Sequence, residues 1–183
     1  MTLLSSLNLP LGSDIIPFSL PGVDGVVHSV ESFKESKNLV VVFTCNHCPY
    51  AQATEPYLLE LAHKYSVADV AFVAINSNDA TTYVDDSFVA MQKRATDMEY
   101  PFPYLYDESQ EVAKAYQAQC TPDIYVFDSA RRLRYHGRVN NVRTKDDVAE
   151  THELQDALDV LLKGEVPNEN QKSSMGCSIK WKQ

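Results

Sequence analysis

Three observations predict an α/β fold for this chain, with a mixed central sheet, helices on both faces and a β-hairpin ahead of the sheet. Leu39-Val40-Val41-Val42-Phe43 and residues 70–75 are apolar at every position, as parallel strands covered on both faces are. Each is followed by a stretch in which apolar residues return at helical spacing. Residues 124–127 and 133–136 flank the turn-prone Asp128-Ser129-Ala130-Arg131 and therefore read as an antiparallel pair.

In chain order, residues 15–20 and 25–28 are short extended runs separated by Pro21, Gly22, Asp24 and Gly25, the pattern of a hairpin. After the strand at 39–43, Tyr57, Leu58, Leu61 and Tyr65 mark a helix that runs to about Tyr65, with Pro49 suited to its first turn. The strand at 70–75 gives way to a polar loop at 77–82 and to a helix marked by Phe88, Met91 and Ala95. Residues 102–105 form a short strand held between prolines, and Ser109 caps a short helix carrying Val112, Ala113 and Tyr116. Leu154, Ala157, Leu158, Leu161 and Leu162 give the best amphipathic stripe of the chain, ended by Gly164. The order strand-helix-strand-helix-strand-helix-strand-strand-helix implies one mixed sheet with helices on both faces.

A chain of 183 residues with 44% hydrophobic content supports one well-buried core, so residues 1–183 read as a single domain, with a core at about 12–164 and a tail at 165–183. The 25 acidic against 16 basic side chains leave a net charge of −9, which repels phosphate backbones and anionic membrane surfaces and weighs against a nucleic-acid partner. Residues 1–12 carry no Lys or Arg and Pro10 interrupts them, so no secretory signal is indicated; no apolar window approaches bilayer length. The expectation is a soluble, cytoplasmic protein without a membrane partner. Four cysteines are too sparse for a disulfide scaffold, and in a reducing compartment a close pair suggests redox or metal chemistry.

That pair is Cys45 and Cys48 in Cys45-Asn46-His47-Cys48-Pro49, between a strand and a helix. Two intervening residues place the sulfurs about one turn apart, close enough to form a disulfide. The orphan N–H groups of the first turn favour thiolate over thiol by about 0.3 to 1 kcal/mol, and a protonated His47 between the thiols would add to this. Cys45 is the nucleophile candidate, because Pro49 and the continuing helix enclose Cys48. Zinc held by Cys45, His47, Cys48 and Cys120 is the weaker alternative, since no second CxxC or HxxxH completes a site. No metal or cofactor is expected.

With these residues in view, the chain resembles the redoxin branch of the thioredoxin superfamily, grouped with AhpC/TSA-type and peroxiredoxin-like sequences, over about residues 12–181. The pieces that carry the resemblance are Phe43-Thr44-Cys45-Asn46-His47-Cys48-Pro49-Tyr50, Ala74-Ile75-Asn76-Ser77-Asn78-Asp79, Cys120-Thr121-Pro122-Asp123 and Gly176-Cys177-Ser178-Ile179-Lys180-Trp181. It implies a thioredoxin-like fold in which Thr121-Pro122 is similar to the family's cis-proline loop facing the dithiol; an ordinary trans proline opening a strand is the reading without it. Substrate contacts are then expected from Thr121, Pro122, Asn46 and Pro49. The resemblance also exposes two departures: Thr44 stands where thioredoxin has Trp, and no buried acid is evident in residues 39–43 to handle protons.

Three functions follow as expectations. The first is thiol-disulfide exchange on disulfide-containing proteins or small thiol substrates, coupled to a reducing or oxidising partner, with Cys45 attacking and Cys48 resolving. The second is an antioxidant thiol peroxidase, because Thr44 to Pro49 is also similar to the peroxidatic Thr-x-x-Cys-Pro of peroxiredoxins, which would make Cys48 the attacking sulfur. Against it, that motif's leading proline is Val41 here, and the arginine expected to polarise peroxide is replaced by Pro122. The third is a binding module with a vestigial or metal-bound pair. Cys120 and Cys177 read either as additional redox thiols, pairing with each other if the tail folds back, or as inert small hydrophobes. Tyr104 and Tyr106, and the hairpin arginines Arg131, Arg132 and Arg134, receive no role; the arginines read as a solvated face.

Overall fold

The structure, a computed structural model, describes residues 3–7 and 9–183; residues 1, 2 and 8, part of the stretch read as lacking a signal, lie outside the described residues. In chain order the elements are β1 (Leu3–Ser5), β2 (Ser19–Pro21), β3 (Val27–Ser29), β4 (Asn38–Phe43), α1 (Pro49–Tyr65), β5 (Val70–Asn76), α2 (Phe88–Asp97), β6 (Tyr104–Tyr106), α3 (Glu111–Ala115), β7 (Cys120–Thr121), β8 (Asp123–Phe127), β9 (Leu133–Gly137), α4 (Glu153–Leu162) and β10 (Met175–Ser178). Five strands form the central sheet in the order β6-β5-β4-β8-β9. β4, β5 and β6 run parallel, and β8 and β9 are antiparallel to their neighbours.

The period-2 geometry of β4 divides the interior. Leu39, Val41 and Phe43 enter one core with Val73, Ile75, Tyr116 and Tyr125, while Val40 and Val42 enter the other with Leu58, Leu61, Leu154 and Leu158. α1 and α4 therefore cover one face, and α3 with the N-terminal segment covers the other. Both faces being dry explains why this strand carries no polar alternation; each such side chain contributes about 1.5 to 3 kcal/mol by its burial. No helix among the described residues is long and apolar enough to cross a membrane.

Several local expectations change. The hairpin strands are only three residues each, paired Ser19↔Ser29 to Pro21↔Val27; Pro17 and Pro21 lack the N–H donors that a longer ladder needs. α3 is capped by Asp107 rather than by Ser109 alone: the Asp107 carboxylate accepts from Val112 N at 3.4 Å and Ala113 N at 2.9 Å, while the Ser109 hydroxyl takes Glu111 N at 3.3 Å. Arg131 and Arg134 are not a free solvated face: Arg131 Nη2 donates to the carbonyls of Phe33 at 2.5 Å and Ser36 at 2.9 Å, and Arg134 Nε to Asp128 at 2.6 Å.

The largest departure concerns residues 165–183, read as a tail. They supply β10, the middle strand of a second sheet of order β1-β10-β7. A four-residue strand containing Gly176 and flanked by polar residues has too little apolar periodicity to announce itself. Its position decides the site, since β7 leads into Pro122.

Candidate active site

β4 ends at Phe43, and the chain turns through Thr44 to His47 before Pro49 opens α1 as its first residue; Thr44 N is held by Ile75 O at 2.9 Å. Proline has no N–H to give, so α1 starts there and Cys48 becomes its N-cap. Cys45 thus lies in the turn before the helix, three residues ahead of the N-cap, and the pair is not spaced by a helical turn. Across from the pair, Thr121-Pro122 is a cis peptide bond.

The sulfurs face this loop closely. Cys45 Sγ lies 3.2 Å from Thr121 Oγ1, and the Cys48 thiol donates to the Thr121 carbonyl at 3.2 Å. Cys48 is fully enclosed, while Cys45 keeps 4% of its surface. The two thiols pack in one cluster and each shifts the other's ionisation.

Two influences compete for the proton they share. Cys45 draws Cys48 down to about 5 against its burial, helped by Cys177. Burial, then Cys48 and the charge of Asp86, push Cys45 well above its ordinary value. Against that assignment stands the fixed Thr121 carbonyl, which a Cys48 thiol can use and a thiolate cannot, whereas the Thr121 hydroxyl can donate to a Cys45 thiolate. The ionisation therefore belongs to the pair: one proton leaves at low pH and the other is retained to high pH. We expect an ultraviolet thiolate titration of the reduced protein to show one equivalent with a midpoint near pH 5, not near 9, with the ionised fraction already saturated at neutrality; a single rise near pH 9 would contradict it.

The buried acid absent from β4 comes from elsewhere. Asp86, wholly buried, accepts from Asn46 N at 2.6 Å, His47 Nδ1 at 2.5 Å and Asn78 Nδ2 at 2.8 Å. Burial opposes its charge, yet the His47 and Asn78 donors hold its carboxyl below the usual range. The ring of His47 stacks on Tyr83 at 4.9 Å. His47 is thereby tied to Asp86 and not to a sulfur, and its buried Nε2 has no hydrogen-bond partner. One candidate metal-binding group emerges among the described residues: Cys45, His47 and Asp86 offer ligand atoms within 4.8 Å of one another. This differs from the four-ligand set including Cys120 and Cys48.

Asn46 is also a framework residue here. Only 6% exposed, it donates Nδ2 to Asp85 O at 2.7 Å and accepts from the Tyr104 hydroxyl at 3.0 Å, so its amide is engaged within the protein. Tyr104, left without a role on sequence grounds, therefore braces the dithiol loop. Pro49 is exposed beside the pair. Pro122 borders a cavity of about 230 Å³ together with Tyr50, Asn140, Arg143 and Lys172. Asn140, 3% exposed, has an unpartnered Nδ2.

Replacing Asp86 by Asn removes a charged acceptor from three donors. The expected cost is about 3 kcal/mol, a melting temperature lower by roughly 6 to 12 °C. The sign in acid follows from the depressed carboxyl: its stabilising contribution is complete above the unfolded carboxylate pKa and disappears as pH falls through the lower folded value. Thermal scans of both proteins should accordingly converge as the pH is lowered from neutrality towards the acid limb.

The two remaining cysteines separate. In the β10–β7 register Cys177 is opposite Thr121 and Ser178 opposite Cys120. Directly paired residues share a face and successive residues alternate, so Cys177 lies with Thr121 on the side of the dithiol, and Cys120 points away from it. The pairing of Cys120 with Cys177 is thus not what the fold arranges. Cys120 is fully buried, and burial, then Asp123, push its thiol up.

A mixed sheet of this order, with a buried dithiol at the mouth of the first helix facing a cis proline, defines a thioredoxin-like redox protein. Within that class the chain belongs to the Redoxin family, whose model matches residues 10–154. It is similar to an uncharacterized conserved protein from Geobacillus kaustophilus, with 47% identity over 100% of this chain and 97% of the other, at a TM-score of 0.95. A hypothetical protein from Sinorhizobium meliloti 1021 is 38% identical over 97% of this chain and 98% of its own, at a TM-score of 0.93. The thioredoxin domain of a thiol-disulfide oxidoreductase from Bacteroides vulgatus shares the fold, at 16% identity and a TM-score of 0.61 over 70% of this chain and 89% of that one. None of the curated proteins compared matches the chain.

Proposed function

We propose that the chain is a thiol-disulfide oxidoreductase in which Cys45 attacks and Cys48 resolves. The observation that supports this best is the graded enclosure of the pair: Cys45 alone keeps surface, at 4%, beside the cis proline loop, with Cys48 sealed behind it. A substrate disulfide is met by the Cys45 thiolate, whose sulfur bonds to one substrate sulfur while the other leaves as thiolate. Cys48, its proton passing to the departing substrate thiolate, then bonds to Cys45 and releases the second half. The substrate loses its disulfide and the protein gains one; a thiol reductant reverses the change. Pro122 and the cavity flanked by Arg143 and Lys172 are where the substrate chain lies in this reading.

The low first ionisation of the pair and the Thr44-to-Pro49 spacing also keep peroxide reduction by Cys48 as the second reading. One experiment separates them: turnover of hydroxyethyl disulfide and of insulin with dithiothreitol as reductant, beside consumption of hydrogen peroxide under the same conditions. Disulfide turnover well above the uncatalysed rate, with little peroxide loss, is expected. Peroxide loss that far outpaces disulfide turnover overturns the assignment in favour of the peroxidase.

A further inference from the structure

We propose that Cys177 is a third redox thiol of this site, able to draw Cys48 into a Cys48–Cys177 disulfide that releases Cys45. The proposal rests on the dithiol reading above and adds to it a second position for the disulfide.

The geometry begins with β10. Leu3↔Cys177 on one side and Cys177↔Thr121 on the other make it a central strand, and Ile179 N donates to Gln119 O at 2.8 Å just beyond it, so Cys177 is held by backbone bonds on both flanks. Gly176 lets β10 come close: a Cβ there would lie 1.9 Å from the Thr121 carbonyl oxygen, the atom that accepts from Cys48. Register places the Cys177 side chain on the face of Thr121, whose hydroxyl meets Cys45. Cys45, Cys48 and Cys177 therefore pack as one cluster with Ala51, all three at most 4% exposed. Within it Cys48 interacts electrostatically with both other thiols. One sulfur has two sulfur neighbours, and it can bond covalently to only one at a time.

The exchange balances without an outside reagent. Starting from the Cys45–Cys48 disulfide, the Cys177 sulfur attacks Cys48; the Cys48–Cys177 bond forms, the Cys45–Cys48 bond breaks, and Cys45 leaves with the electron pair and takes the proton given up by Cys177. No net oxidation occurs, and the three-cysteine cluster still holds one disulfide and one thiol. In the reduced cluster burial, then Cys48, push Cys177 up to about 12, so it stays a thiol. In the Cys45–Cys48 disulfide Cys48 carries no charge, so the part of that shift due to Cys48 is gone while the part due to burial stays.

Peptide mapping tests this. Trypsin places Cys45 and Cys48 in residues 38–64, Cys120 in 115–131 and Cys177 in 173–180. The full-length Cys45→Ser protein, oxidised with diamide, alkylated while unfolded and digested, should give 38–64 linked to 173–180 as its main oxidised product. Cys48 linked to 115–131, or left reduced with Cys177 alkylated, overturns the proposal. Wild-type protein guards against a folding failure of the variant: after oxidation it should contain the same linked peptides carrying one alkylated cysteine in 38–64. Wild type that turns over hydroxyethyl disulfide yet holds only the internal 38–64 disulfide sinks the third-thiol role and leaves the dithiol reading intact. Wild type that exchanges no disulfide at all sinks that reading itself.

Discussion

Cys45→Ser is expected to lower disulfide turnover by at least about 10³-fold, because in the proposed reading it removes the attacking sulfur. Serine is close in size and retains a hydroxyl for the Thr121 Oγ1 contact, so the loop and its Asp86 anchor should persist and stability should change by only about 1 kcal/mol. Cys48→Ser should behave differently. Attack by Cys45 remains, but no thiol stands behind it to expel the bound half, so a covalent adduct accumulates and decays only over the minutes to hours of uncatalysed exchange. Mass spectrometry of each variant after incubation with glutathione disulfide reads the contrast directly: an adduct on Cys48→Ser and none on Cys45→Ser. The reverse pattern assigns attack to Cys48 and sides with the peroxidatic reading. Adducts on both mean that enclosure does not govern access.

What the sequence made legible is what local chemistry encodes. The central strands were visible because both faces of β4 and β5 are dry, so every residue is apolar. The dithiol was visible because Cys45 and Cys48 are neighbours in the chain and Pro49 marks the helix start. The frame of the site was not. Asp86 lies 39 residues beyond His47, between the polar loop at 77–82 and the helix marked by Phe88, and nothing local distinguishes it from its exposed neighbour Asp85. The Ala74-to-Asp79 segment carries part of the family resemblance, but its sequence does not say what the segment holds in place. In the structure Asn78 donates to Asp86, its Oδ1 accepts from Lys180 N at 2.8 Å, and Asp79 N meets Lys180 O at 2.8 Å, so the motif fastens the dithiol loop to the C-terminal segment. Contacts of this sequence separation are set by topology. The same holds for Cys177: its role depends on which residue of β7 it opposes, and a register is not written in either strand alone.

Gly176→Ala carries the second large effect, and it acts on the backbone of the site. The added Cβ would sit 1.9 Å from Thr121 O, 2.7 Å from Thr121 C and 3.3 Å from Pro122 N, all main-chain atoms that cannot rotate away. β10 must therefore separate from β7. Overpacking of this kind costs about 1 to 3 kcal/mol, and the melting temperature should fall by roughly 2 to 12 °C. Separation also moves the Thr121 carbonyl from Cys48 and the Thr121 hydroxyl from Cys45, so the thiols lose their fixed acceptor and donor together. Native-state alkylation of the cysteines should accordingly accelerate, and disulfide turnover should drop even at temperatures where the variant is folded. Ser178→Ala, two residues on and half-buried, removes only a hydroxyl that accepts from Lys180 Nζ at 3.0 Å, and should leave stability within about 0.5 kcal/mol. Equal behaviour of the two variants would mean that the close approach of β10 does not shape the site.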